Sequence, residues 1–421
     1  MKDILIRTQS LYFNERSNRM LRSSLGFHTM TLSLLMETRT VRSLIRDFKK
    51  YSRDTGLVQI YRDGKNKIFI RYYREDKGIV WSIRSNNWDI NFQSYMVEAT
   101  INPKILAGIH DYITAATYED MDAAITNFNL EAKRISPILE TFDCYSLKRV
   151  DYCINFCIDE LIAGISPEQI MNLIRRSDIP SRFKEWTTYD PVSHRKKSRP
   201  GSFYLINPSV NINCYSKYMQ MTERSQENRE KGYPPIPQET LDVSKNIIRF
   251  EVQCKYHKMY ILSQRAEESG NYDKNKYKSL LSHETCNEVI NYYYKKTIGR
   301  SGWYTLADAV RMVKSCNYNS QKEKRLIDAL NIINQLRSVA RAKECYHGQD
   351  LETFKRTLND LSSINVNPVT IPKEWGYRHI PNLLYTYYDK KQKEEMQKQW
   401  MEEYLNRGYG SYNKKFGCLS G

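Results

Sequence analysis

Arg149-Val150-Asp151-Tyr152-Cys153-Ile154-Asn155-Phe156 sets charged or polar side chains at every second position and apolar ones between them. Side chains of a strand alternate with period 2, so the stretch predicts a strand with Asp151 and Asn155 sharing one face. Two later stretches read the same way. Ser209-Val210-Asn211-Ile212-Asn213-Cys214-Tyr215-Ser216-Lys217-Tyr218 puts Asn213, Tyr215 and Lys217 together, and Ile247-Ile248-Arg249-Phe250-Glu251-Val252-Gln253-Cys254 does so for Arg249, Glu251 and Gln253. If these strands are neighbours in one sheet, an Asp, a Glu, a Tyr and a Lys converge. A carboxylate pair able to hold a divalent ion beside a tyrosine and a lysine is equipment for attack on phosphodiesters.

Composition sets the limits. The 421-residue chain is 40% hydrophobic and 27% charged, which is enough apolar material for sizeable cores. Its net charge of +17 favours a polyanionic partner, nucleic acid first, over a merely basic surface. No run approaches the roughly 18 to 20 apolar residues that span a bilayer. Leu32-Ser33-Leu34-Leu35-Met36 is too short and too far in for a signal sequence, so a cytoplasmic protein without membrane partners is expected. The nine cysteines form no Cys-x-x-Cys pair, and Cys153, Cys157, Cys214 and Cys254 lie in hydrophobic patterns, as reduced core thiols do.

Residues 1–50 hold ten basic and four acidic side chains and read as a basic N-terminal extension, either a DNA-touching arm or a solvated one, with a helix over Val41 to Tyr51. An α+β unit is expected over 51–300. Strands are predicted at Leu57–Tyr61, Ile68–Tyr72, Ile79–Ile83 and Tyr95–Ile101, the first two joined by an Asp63-Gly64 turn. A helical stretch follows to about Leu139. Ser166-Pro167-Glu168 opens another helix with a serine cap and a proline in its first turn. This order predicts an antiparallel sheet with helices packed on one face.

The loop Thr187–Gly201 carries Arg195, Lys196, Lys197 and Arg199, and beside the proposed site it suits a phosphate backbone better than bare solvent. Met221–Asn246, with Tyr233-Pro234-Pro235-Ile236-Pro237, reads as a mobile connection. Residues 301–421 are expected to be helical: Leu326, Leu330, Ile333 and Leu336 recur at helical spacing, and with Thr305–Val313 they fit a DNA-binding helical unit or an ordinary bundle.

The order Arg149-Val150-Asp151-Tyr152, then Ser202-Phe203-Tyr204-Leu205 leading to Ile212–Tyr218, then Arg249-Phe250-Glu251-Val252, resembles the Rep_trans group of rolling-circle replication initiators and related conjugative relaxases. The resemblance covers about residues 95 to 300. It implies origin-specific nicking and joining of DNA, with the nucleophile in the tyrosine-lysine element. That points to Tyr215 with Lys217 beside it, and Tyr218 is the nearest competitor. The implied partners are an origin hairpin or single-stranded nick site, a host helicase and a second copy of the chain.

A tyrosine hydroxyl has a pKa near ~10 and attacks phosphorus well only if a cation favours the phenolate or a base takes its proton. Mid-strand carboxylates are costly unless paired or metal-bound. Asp151 and Glu251 are therefore expected to hold Mg2+ or Mn2+, the alternative for Asp151 being a structural pair with Arg149 or Arg249. The family often has a second acid where this sequence has Asn155, so Gln253 or water would complete the sphere. No His-x-His pair and no phosphate-binding Gly-x-x-x-x-Gly-Lys-Ser/Thr loop occurs. A non-catalytic DNA-binding initiator is the reading from a different class.

Overall fold

The computed structural model describes residues 23–55, 58–62, 68–74, 77–86, 94–109, 113–190, 195–198, 201–230, 234–268 and 277–416. Its strands are β1 (Ser24–Glu37), β2 (Val58–Arg62), β3 (Ile68–Arg74), β4 (Ile79–Asn86), β5 (Ser94–Ile101), β6 (Ser146–Cys157), β7 (Lys184–Glu185), β8 (Thr187–Asp190), β9 (Arg195–Ser198), β10 (Ser202–Ile206), β11 (Val210–Ser216) and β12 (Ile247–Cys254). Ten of them form one antiparallel sheet in the order β2-β3-β4-β5-β1-β6-β12-β11-β10-β7. The strands predicted around Asp151, Glu251 and Tyr215 are adjacent in it, as β6, β12 and β11.

One face of the central strands of this sheet is apolar. Met30 of β1 lies beside Ile101 of β5 and Val150 of β6, and Trp81 of β4 beside Ala99 of β5. Helix α1 (Thr38–Thr55) and α2 (Met121–Ile135) bring Phe48 and Phe128 against Trp81, with ring centroids 6.4 and 5.3 Å away. Helix α3 (Pro167–Ile174) packs on β10, β11 and β12. It begins as its sequence predicts, with Ser166 accepting from Gln169 N and the Gln169 side chain returning to Ser166 N.

On the other face, α4 (Lys217–Glu230) and α5 (Gln238–Ser244) fill most of the segment expected to be a mobile connection. Met221, Ile236 and Leu241 form a small buried cluster with Tyr218 against it, and the Ile236 amide donates to Ser225 Oγ at 3.1 Å. The apolar residues between the prolines are what fold it. Helices α6 (Tyr256–Glu268) and α7 (His283–Thr297) return to the apolar face, where Tyr294 stands edge-on to Phe156 and Phe250.

Beyond Gly302 the chain is mainly helical: α8 (Leu306–Ser315), α9 (Ser320–Leu336), α10 (Gly348–Ser363) and α11 (Leu383–Phe416), with β13 (Trp303–Tyr304) paired to β14 (His379–Ile380). A small core of Ala309, Val313, Leu326, Leu330, Leu361 and Val366 belongs to this part alone. However, Ile333, Val339, Phe354, Leu383 and Leu384 join the core under the sheet, and Lys343 pairs with Asp178. Packing is continuous across residue 300. No described helix is long and apolar enough to cross a membrane.

Two further expectations change. Residues 24–37, assigned from their flanking charges to an extension, are a central strand whose Phe27, Met30 and Leu32 are fully buried. The basic loop is a hairpin, with β8 paired to β9 and Arg195, Lys196 and Lys197 on β9; Arg199 and the Asp63-Gly64 turn lie outside the described residues.

Candidate functional site

The polar face of β6, β12, β11 and β10 forms a grid whose rows follow from the strand register. Asn155, Arg249, Tyr215 and Ser202 lie abreast; Cys153, Glu251, Asn213 and Tyr204 form the next row; Asp151, Gln253 and Asn211 a third. Period-2 alternation and the antiparallel pairing bring them together. A cleft of about 370 Å3 opens over this face, lined by Asp151, Asn213, Tyr215, Glu251 and Gln253 together with Met219 and Gln220 of α4.

Beta-strand β1 supplies residues that the sequence analysis did not single out. Its register against β6 shifts between Phe27 and Met30, a bulge that carries His28 and Thr29 to the cleft. Gly26 precedes the bulge opposite Cys153, and a Cβ there would lie 2.1 Å from the Ala116 carbonyl oxygen. A glycine next to Phe27 within this stretch was the available signal.

Glu251 is the hub. His28 Nδ1 donates to its Oε2 at 3.1 Å, the Tyr215 hydroxyl donates to the same oxygen at 3.3 Å, and Gln253 Nε2 donates to Oε1 at 3.1 Å. Burial opposes charge on this carboxyl, but the His28 hydrogen bond and the Arg249 guanidinium outweigh it, so its pKa falls and it stays ionised. Burial, reinforced by Arg249, lowers the His28 pKa to about 4, which leaves the ring neutral. Burial also lifts the Tyr215 hydroxyl well above its usual value, the Glu251 charge adding to the rise and Arg249 opposing it.

Arg249 is fully buried. Its Nε donates to Asn155 Oδ1 at 2.7 Å and a terminal nitrogen to the Ile113 carbonyl at 3.2 Å. Asn155 thus braces the arginine.

Asp151 is held by Arg149, whose Nε donates to Oδ1 at 2.6 Å while its other arm and Thr29 Oγ1 both reach Oδ2. Burial pushes the Asp151 carboxyl up to about 6 against the pull of that guanidinium. The alternative weighed for Asp151, a pair with Arg149, is the arrangement found. Among the described residues no three His, Cys, Asp or Glu side chains are grouped to hold a metal ion. Both carboxylates accept from protein donors, Asp151 from Arg149 and Thr29 and Glu251 from His28, Tyr215 and Gln253.

Lys217 is a second correction. The strand ends at Ser216 and Lys217 begins α4, so it does not share a strand face with Tyr215. The lysine is still buried, and its ammonium donates to Gln220 Oε1 at 3.1 Å. Tyr204, quoted only as part of a motif, is half-buried in the middle row and accepts from Asn211 Nδ2 at 2.9 Å.

The neutral His28 gives a pH test. Its folded pKa of about 4 lies below the ordinary 6.5, so between those values the unfolded chain binds more protons and stability falls as pH drops. With 25% of the side chain in water, the loss is expected to be about 1–2 kcal/mol. Glu251, also depressed, adds a loss of the same sign below its unfolded value near 4.5. Urea unfolding across pH 4 to 7 should show this slope and His28→Gln should flatten it; parallel curves would remove His28 as its source.

Fold and site together define an α+β protein with a large antiparallel sheet, one face apolar and the other bearing a buried charged cluster under an open cleft. No family model and no curated protein matches the chain. Among solved structures it is similar to a rolling circle replication initiator protein from Geobacillus stearothermophilus, at 9% identity and a TM-score of 0.25, over 59% of this chain and 80% of that one.

Proposed function

We propose that this protein nicks and rejoins one DNA strand through a tyrosine, as a rolling-circle replication initiator does; a conjugative relaxase would use the same chemistry. The observation that carries the reading is the Tyr215 hydroxyl donating to an ionised Glu251 at 3.3 Å, with the buried Arg249 paired beside the tyrosine in its own row. Glu251 would accept the phenol proton while Arg249 favours the phenolate. The Tyr215 oxygen then forms a bond to phosphorus, the bond from phosphorus to the 3′ oxygen breaks, and that oxygen leaves as a hydroxyl after taking a proton from Glu251. The 5′ phosphate stays on the tyrosine, and reversal rejoins the strand. No step is assigned to a divalent ion.

A second reading moves the attack to Tyr204. Tyr215 is only 7% exposed whereas Tyr204 is half-buried, and Arg149, Glu251 and Asp151 all act on the Tyr204 hydroxyl electrostatically. The hairpin residues Arg195, Lys196 and Lys197, with Arg199 beyond them, would grip the DNA backbone, in keeping with the +17 charge.

The test is direct. Purified protein mixed with supercoiled plasmid carrying its own neighbouring intergenic DNA should yield open circles, and a denaturing gel should show DNA attached to protein. Binding with neither product would leave a non-catalytic DNA-binding initiator.

A further inference from the structure

On the side of the sheet away from the cleft, α6 and α7 lie side by side and run in opposite directions. Arg265 pairs with Glu288 at 3.6 Å, and Lys258 sits over the Tyr293 ring, 6.0 Å from its centroid. That register brings Tyr260 across from Tyr292 and Tyr256 toward Lys296. Tyr256, Tyr260 and Tyr292 are 65%, 55% and 52% exposed, whereas the core beneath them is filled by Met259, Leu262, Tyr293 and Tyr294. The three outer rings therefore contribute little to packing. Tyr256 and Tyr260 stand one helical turn apart, about 5–6 Å between Cβ atoms.

Charge is sorted along the same pair of helices. From Lys255 to Arg265 and from Val289 to Arg300 there are six lysines and arginines and no aspartate or glutamate, while Glu267, Glu268, Glu284 and Glu288 fall toward the other end. The Lys296 ammonium lies over the Tyr292 ring, 5.0 Å from its centroid, and donates to its hydroxyl at 2.9 Å. That hydrogen bond first, then the charges of Lys296, Lys258 and Arg265, hold the Tyr292 phenol below its ordinary pKa. Cations from both helices thus gather around one exposed ring.

We propose that this end of the α6–α7 pair is a second nucleic-acid surface, one that holds a single strand with its bases stacked on Tyr256, Tyr260 and Tyr292 and its phosphates against Lys258, Lys295 and Lys296. An acidic peptide would use the cations and leave three rings without a partner. A duplex would offer phosphates, but its base faces are already stacked. The surface acts independently of the cleft, so it does not rest on the nicking function.

The test is the fluorescence anisotropy of a short labelled oligothymidylate mixed with the full-length protein. Combining Tyr256→Ala, Tyr260→Ala and Tyr292→Ala should weaken binding by about thirtyfold or more, whereas Phe at the same three positions should keep it within about threefold, because the ring carries the stacking. Lys295→Gln with Lys296→Gln should lower the slope of log affinity against log salt by about 1.4. An oligothymidylate carrying 5-iodouridine should crosslink under light to Tyr256, Tyr260 or Tyr292 of the unaltered protein, which decides the matter even if the alanine variant fails to fold. Undiminished affinity in a folded alanine variant, an equal loss in the phenylalanine variant, or crosslinks confined to the cleft overturns the proposal. So does a duplex whose affinity falls as far as the single strand's, or displacement of the oligonucleotide by polyglutamate at equal charge, since either means that charge alone is read. Absence of plasmid nicking bears on the cleft alone, because this binding is measured without cleavage.

Discussion

Tyr215→Phe is expected to eliminate the covalent protein-DNA adduct and to lower single-strand cleavage by about 10^4-fold or more. The substitution keeps the ring, and with it the packing of a side chain that is 7% exposed, while removing only the oxygen that would bond to phosphorus. Affinity for single-stranded DNA should stay within about threefold, because the hydroxyl makes no ground-state contact that phosphate needs. The measurement is a denaturing gel of labelled oligonucleotide and protein. An adduct that survives in Tyr215→Phe but disappears in Tyr204→Phe would transfer the attack to the more exposed hydroxyl. Survival in both would move it to another hydroxyl, Tyr218 first, whose ring packs with Met221, Ile236 and Leu241.

Glu251→Gln should reduce the single-turnover cleavage rate by about 10^2- to 10^4-fold and leave DNA affinity nearly unchanged. Glutamine has the same shape, but it cannot take the Tyr215 proton or keep the negative charge that the buried Arg249 faces. The same change in Asp151 makes a useful contrast. Its carboxylate is engaged by Arg149 and Thr29, so Asp151→Asn should act chiefly by loosening β6 against β1, which appears as lower stability and a smaller drop in rate. Equal losses of rate with unchanged stability would mean that both carboxylates act on the substrate, as a pair holding a shared divalent ion would.

What the sequence revealed was whatever repeats with period 2. The alternation in β6, β11 and β12 placed Asp151, Asn155, Tyr215, Arg249, Glu251 and Gln253 on one face correctly, because antiparallel neighbours keep facing parity. The cap at Ser166 was equally legible, since Ser-Pro-x-Gln satisfies a helix start locally. Lys217 was misplaced because a strand passes into a helix after Ser216, and a two-residue spacing means nothing across that switch. His28 and Thr29 were missed because a bulge, visible only against a partner strand, turns them to the cleft. The N-terminal strand was hidden by its flanks, whose arginines and lysines set the regional charge while Leu25, Phe27, Met30 and Leu32 set the fold.

The position of β1 between β5 and β6 also governs how the chain must assemble. During synthesis this strand leaves the ribosome before the other described strands, yet one of its neighbours, Ser146–Cys157, follows more than a hundred residues later. At about 5–20 residues per second that gap lasts on the order of 10 s, during which at least one apolar strand edge has no partner. Closing the sheet is therefore a long-range event of high contact order, slow by the standards of local helix formation. Nascent chains stopped before residue 157 should need a holding chaperone, whereas chains extended past it can close β6 onto β1 and leave the edge of β6 to be covered when β12 follows.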